Sequence, residues 1–269
     1  MVETRSGSGE DDDALYVLTA VLLTPARFPS VLGDDYPEAC AALGLEPYAE
    51  GYGLVLGQDG EGARWTVATE DVSLVACAVA AWDCGMEYDL SPDERTVAAV
   101  LPGWPVAVAV AAPGVPAPHD PEPDPDPGGG RAPLAPPDTT TWGPAQRRLG
   151  ADEIALRWAE WRAQVDADVT FVDPGEASGG KARRALEEAR GYVRSPPPPG
   201  RVRSAFASDE ARTLRVDGPG WSLVARTDDI AFVLLDDEPG EVLPVGRGPE
   251  LPGLLRALDE LAVRPDAVL

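Results

Sequence analysis

The stretch VRSAFASDEARTLRVDGPGWSLVARTDDIAFVLL, residues 202–235, decides the fold class. Four strand-like segments, 202–207, 213–216, 221–225 and 230–235, are separated by short runs of turn formers, of which Asp217-Gly218-Pro219-Gly220 is the tightest. Strands so closely spaced join by hairpins, because a parallel crossover needs a dozen or more residues. The stretch therefore reads as an antiparallel meander. Working outward, 181–193 has helical spacing and 169–172 is a short strand. Ile154, Trp158, Trp161 and Val165 fall at i, i+4, i+7 and i+11, one apolar stripe of a helix. Leu251, Leu254, Leu255, Leu258 and Leu261 mark a final amphipathic helix. Residues 142–269 thus form one α+β lobe.

The preceding chain predicts a second lobe of the same class over 14–112. Residues 15–23 form a buried strand stopped by Thr24-Pro25, and 36–43 a short helix closed at Gly44. Segments 52–56 and 65–68 flank a Gly-rich loop, a hairpin pattern. The apolar run 72–82 reads as another strand. Ser91-Pro92-Asp93-Glu94 has the form of a helix start, with Val97, Val100 and Leu101 on the inner face. Residues 104–110 return as a strand. Between the lobes, 113–141 holds ten prolines and four glycines in 29 residues, too little apolar surface to offset the entropy of ordering. It reads as an extended, disordered linker, and the acidic stretch 1–13 as disordered too. Residues 65–75 echo 221–233, both opening on Trp and sharing Thr-acid-Asp-apolar-small-apolar-Val. An internal duplication and two independent hairpins of similar composition both account for that echo.

Charge narrows the function classes. The 269 residues carry 46 acids and 22 bases, net −24, with 19 acids against 4 bases in 1–112. Phosphate binding needs clustered Lys/Arg, so nucleic acid and anionic membranes are excluded as expected partners, and a basic protein is favoured. Residues 97–118 are uncharged, but five prolines break them, which argues against a membrane span. Three cysteines, an odd number, and no basic-then-apolar leader predict reduced thiols and a cytoplasmic protein. Basic residues gather at 181–203. Three readings suit them: a solvated helix face, a surface docking on the acidic lobe, or a phosphate grip.

Two candidate sites emerge. Trp82, Asp83, Met86, Glu87, Tyr88 and Asp89 interleave aromatic and thioether side chains with carboxylates, a pattern suited to gripping a basic partner. The bland alternative is that Trp82, Met86 and Tyr88 simply fill the core. Gly175-Glu-Ala-Ser-Gly-Gly180-Lys181 fits G-x-x-x-x-G-K between an expected strand and an expected helix. Followed by the apolar strand 230–235 and Asp236, it resembles the P-loop NTPase pattern over about 60 residues. That resemblance implies phosphate binding by Gly175, Gly180 and Lys181, with Asp236 toward a metal. The chain departs from the pattern at Ala182, where the family has the Ser/Thr that ligates Mg²⁺, and at the antiparallel meander. The single histidine, His119, falls in the linker with nothing to hold it. No competent catalytic set, cofactor site or metal site is legible, and Cys77 and Cys84 read as small buried hydrophobes. The expectation is a non-catalytic protein-binding module, immunity-, chaperone- or adaptor-like, whose acidic lobe engages a basic partner. The alternative is a nucleotide-binding NTPase.

Overall fold

The computed structural model describes residues 15–104, 119–122, 131–135, 141–168 and 177–264. These residues hold two antiparallel sheets, of four and five strands, and six helices, an α+β architecture. The strands expected at 169–172 and beyond Trp104, and most of the Pro/Gly-rich segment, lie outside the described residues. The chain divides into two compact units: 1–23 with 50–137, and 24–49 with 138–269. That division crosses the expected lobe boundary, because 24–49 leaves the first unit after its first strand and packs within the second.

In the first unit, β1 (Tyr16–Leu23), β2 (Tyr52–Gln58), β3 (Arg64–Thr69) and β4 (Val97–Pro102) pair in sequential order. Val55, Val67 and Val75 centre the core on one face of this sheet, joined by Val17, Ala20 and Leu22. Val75 belongs to α2 (Val72–Asp83), the run expected as a strand. An apolar run of this length suits a buried strand or a buried helix alike. Four alanines, and Asp71 accepting the Leu74 amide at 2.9 Å as N-cap, settle it as helix. Gly53 lets the helix approach β2, since a Cβ there would lie 2.8 Å from Val75 Cβ. The helix expected from Ser91 is instead one 3₁₀ turn, Glu94–Thr96, capped by Asp93, and the chain then extends as β4. The β-branched Thr96, Val97 and Val100 favour the pleated partner surface beside β3. His119 is held after all: its amide donates to Gly62 O at 3.3 Å, while Asp120 pairs with Arg64 at 2.8 Å.

The second unit carries the meander. β5 (Val202–Ser208), β6 (Ala211–Gly218), β7 (Trp221–Arg226), β8 (Ala231–Leu235) and β9 (Leu243–Val245) run in sequential antiparallel order. The expected helical stripe is realised in two helices, α3 (Pro144–Leu156) and α4 (Trp158–Asp168), broken at Arg157. α5 (Ala177–Arg194) and α6 (Leu251–Leu261) complete the unit, and 24–49 adds α1 (Tyr36–Leu43). Helices cover both faces. Leu214, Val216, Leu223 and Val233 pack under α5 and α6, while Val224, Phe232 and Leu234 pack under α3 and α4. Burial on both faces explains the near-continuous apolar runs of β7 and β8. The echoed segments part company in structure: 72–75 is helical, whereas Ala231–Val233 lies in β8.

Candidate functional site

The acidic aromatic segment sits at the C-terminus of α2, whose ending is built from its own backbone. The Gly85 amide donates to Trp82 O and the Met86 amide to Ala81 O, both at 2.9 Å, with Gly85 at φ +71°. This is a Schellman close, which satisfies the last carbonyls and turns the chain outward. Trp82, Met86 and Tyr88 are consequently exposed, at 77%, 60% and 48%, so the core-filling alternative is set aside. With Ala78, Glu87, Asp89 and Leu90 they line one open concavity of about 510 Å³. The Ser91 amide donates to Asp89 at 2.9 Å and holds its carboxyl below the usual range. Asp93 is held low in the same way by Arg95. Cys77 and Cys84 are exposed free thiols on this helix and its cap, not buried hydrophobes, while Cys40 is buried. The arrangement offers exposed apolar anchors beside the carboxylates of Glu87 and Asp89, of which Asp89 is held by Ser91.

The residues of the nucleotide reading are placed differently. Gly175 lies outside the described residues, and Gly180 and Lys181 lie inside α5 rather than in a loop. Lys181 Nζ pairs with Glu238 at 2.6 Å and Asp237 at 2.9 Å, bonds that raise its pKa. Asp236 pairs with Arg147 Nε at 2.7 Å. Among the described residues the adjoining sheet is antiparallel and shows no βαβ crossover, which a phosphate-binding loop requires. Among the described residues no group of three or more His, Cys, Asp or Glu is placed to hold a metal.

Comparison with family models, curated proteins and solved structures returned no match.

A third constellation is a buried ionic network in the second unit, which draws in Arg201 and Arg203 from the basic stretch 181–203. On the face of β5 and β6 beneath α3 lie Arg203, Arg215 and Asp217, with Ser222 beside them on β7. α3 brings Arg147 and Arg148, both fully buried. Arg148 and Arg203 pair with Asp217 at 2.9 and 3.2 Å, and Arg215 bridges Asp217 and Asp152. Residues 24–49 close the network: Asp34 pairs with Arg147, its carbonyl accepts from Arg148 at 2.9 Å, and Asp35 pairs with Arg201. The Phe28 ring lies 3.6 Å from the Arg148 guanidinium and 5.1 Å from that of Arg203. Burial pushes Asp34 up to about 7, outweighing the opposing pull of Arg147. Burial pushes Asp217 up as well, but Arg215, Arg148 and Arg203 hold it well below the usual carboxylate range. One pattern in the sequence did point here. Counting back from Ile154 along its stripe reaches Ala151 and then Arg147, a buried position.

Proposed function

We propose that this protein is a binding module whose 82–89 segment docks a basic partner protein. The observation that carries the reading is the exposure of Trp82, Met86 and Tyr88 together, with Glu87 and Asp89 in the same concavity and Asp83 next to Trp82 in the chain. Contiguous exposed apolar groups of this kind mark interaction surfaces, and aromatic anchors supply most of the affinity at such surfaces. The rim is acidic over a wide range: between Arg64 and Arg95 the chain has seven acids and no base. That charge raises the encounter rate with a basic surface and discriminates against acidic ones. Such a module acts as an immunity protein, chaperone or adaptor does, by masking a basic surface. A cytoplasmic setting agrees with three cysteines in the free form. Among the described residues no helix is long and apolar enough to cross a membrane.

The test is affinity capture from the native host with the wild type and two variants, Trp82→Ala/Met86→Ala/Tyr88→Ala and Asp83→Asn/Glu87→Gln/Asp89→Asn. A basic protein retained by the wild type at low salt, and lost from both variants, is the expected result. The same proteins recovered by all three would end the proposal.

A further inference from the structure

The arginine face of the second unit is filled by a segment that enters from elsewhere in the chain. Residues 24–49 follow β1 and precede β2, two strands paired in the first unit's sheet, yet they pack with 138–269. What the segment presents there is specific: one aromatic ring over two guanidiniums, then two adjacent carboxylates on Arg147 and Arg201. The two described apolar clusters of this unit, under α5/α6 and under α3/α4, contain no residue from 24–49. Leu32, Tyr36, Ala39, Cys40 and Leu43 of the segment are buried as well, but what meets the arginines is Phe28, Asp34 and Asp35. Remove them and the face keeps five guanidiniums, of Arg147, Arg148, Arg201, Arg203 and Arg215, against Asp152, Asp217 and Asp236. It is then net positive inside an acidic protein. The Nε–H groups of Arg148, Arg203 and Arg215 are buried and find no acceptor among the described residues, so the face has donor capacity to spare.

We propose that the face formed by α3, β5 and β6 is a receptor for a short peptide segment bearing an aromatic ring followed by paired carboxylates, and that residues 24–49 fill it as a displaceable plug. The ligand class follows from the plug: a planar ring to stack on Arg148, and two carboxylates to take Arg147 and Arg201. An acidic segment without the ring meets only part of the face. Competing segments reach the site only when the plug lifts, so their apparent affinity is reduced by the fraction of time it is closed.

The experiment uses the full chain and a fluorescein-labelled peptide of residues 24–49. Asp34→Lys/Asp35→Lys in the chain places like charges against Arg147 and Arg201 and evicts the plug. This variant is expected to bind the wild-type peptide at least tenfold more tightly than the wild-type chain does. Peptides carrying Phe28→Ala, or Asp34→Asn/Asp35→Asn, are each expected to lose tenfold or more, and polyglutamate to bind more weakly than the wild-type peptide. Equal binding of all peptides, or none by a folded variant, overturns the proposal. Should the variant not fold, hydrogen exchange of the wild type decides. Residues 30–43 are expected to exchange through an opening that leaves β6, β7 and β8 protected. Exchange of 30–43 only in step with those strands overturns it.

Discussion

Asp217 shows how a single carboxylate organises the second unit. The sequence reads it as the opening residue of the tight turn 217–220, but β6 runs through Gly218 and Asp217 lies within it. Leu214 and Val216 pack under α5 and α6, so Asp217 falls on the opposite, also covered, face under α3. There it neutralises Arg148, Arg203 and Arg215. Asp217→Asn strands those guanidiniums without their counter-charge, and the expected cost is about 3–5 kcal/mol in urea unfolding. A loss below about 1 kcal/mol would mean the network is solvated. Asp34 behaves in the opposite sense. Its folded pKa is raised from 3.8 to about 7, so its contribution is full while it is protonated in both states and is lost as pH rises through about 7. Against Asp34→Asn, the wild type should lose up to about 1.4 kcal/mol per pH unit between about pH 5 and 6.5. Denaturation curves of the two proteins that stay parallel over that range would contradict this. Asp217, whose pKa is depressed, acts the other way: its contribution is present above the normal carboxylate range and lost in acid.

Elements with clear punctuation were legible from the sequence. Helix α1 starts at Tyr36 behind Asp35, which caps Glu38, and ends at the left-handed Gly44. Strands β5 to β8 likewise follow the turn formers that bound them. Two elements were read in the wrong class for one reason: apolar residues carried the spacing, and the deciding partners were distant. Helix α2 is an alanine-rich run that only Asp71 and the approach to Gly53 distinguish from a strand. Strand β4 has helix-like spacing of Val97 and Val100 but gains its hydrogen bonds from β3. The α2 ending also sets the candidate site, and Gly85 can be tested alone. It has open space around its Cα, so Gly85→Ala meets no clash and bears only the left-handed backbone strain. The expected cost is about 1 kcal/mol in thermal or urea unfolding, with weaker partner binding as the loop is re-aimed. An unchanged stability would show that the Schellman close is not held in solution.

At the scale of the molecule, charge and connectivity divide differently. The first compact unit holds 19 acids and 4 bases, so the acidic character anticipated for the first lobe survives the redrawn boundary. Most of the Pro/Gly-rich stretch lies outside the described residues, and the sequence could not reveal that 24–49 packs within the second unit. Asp35 has a local role as the cap of α1, but the pairing of Asp34 and Asp35 with arginines more than a hundred residues away has no local signal. A chain of 138–269 alone lacks the carboxylates that face Arg147 and Arg201, and is expected to unfold cooperatively but at lower denaturant than the whole protein. Cooperative unfolding at the stability of the whole protein would contradict that dependence. In the first unit, the docking role proposed for 82–89 rests on apolar anchors beside carboxylates. It is tested most directly by titrating the captured basic partner into the wild type and into Trp82→Ala at about 50 and 300 mM salt, beyond which a Debye length of under about 6 Å screens the rim. The wild-type Kd is expected to weaken at least tenfold with salt, and Trp82→Ala to weaken it at least tenfold at either salt. Affinity indifferent to both salt and Trp82 would contradict it.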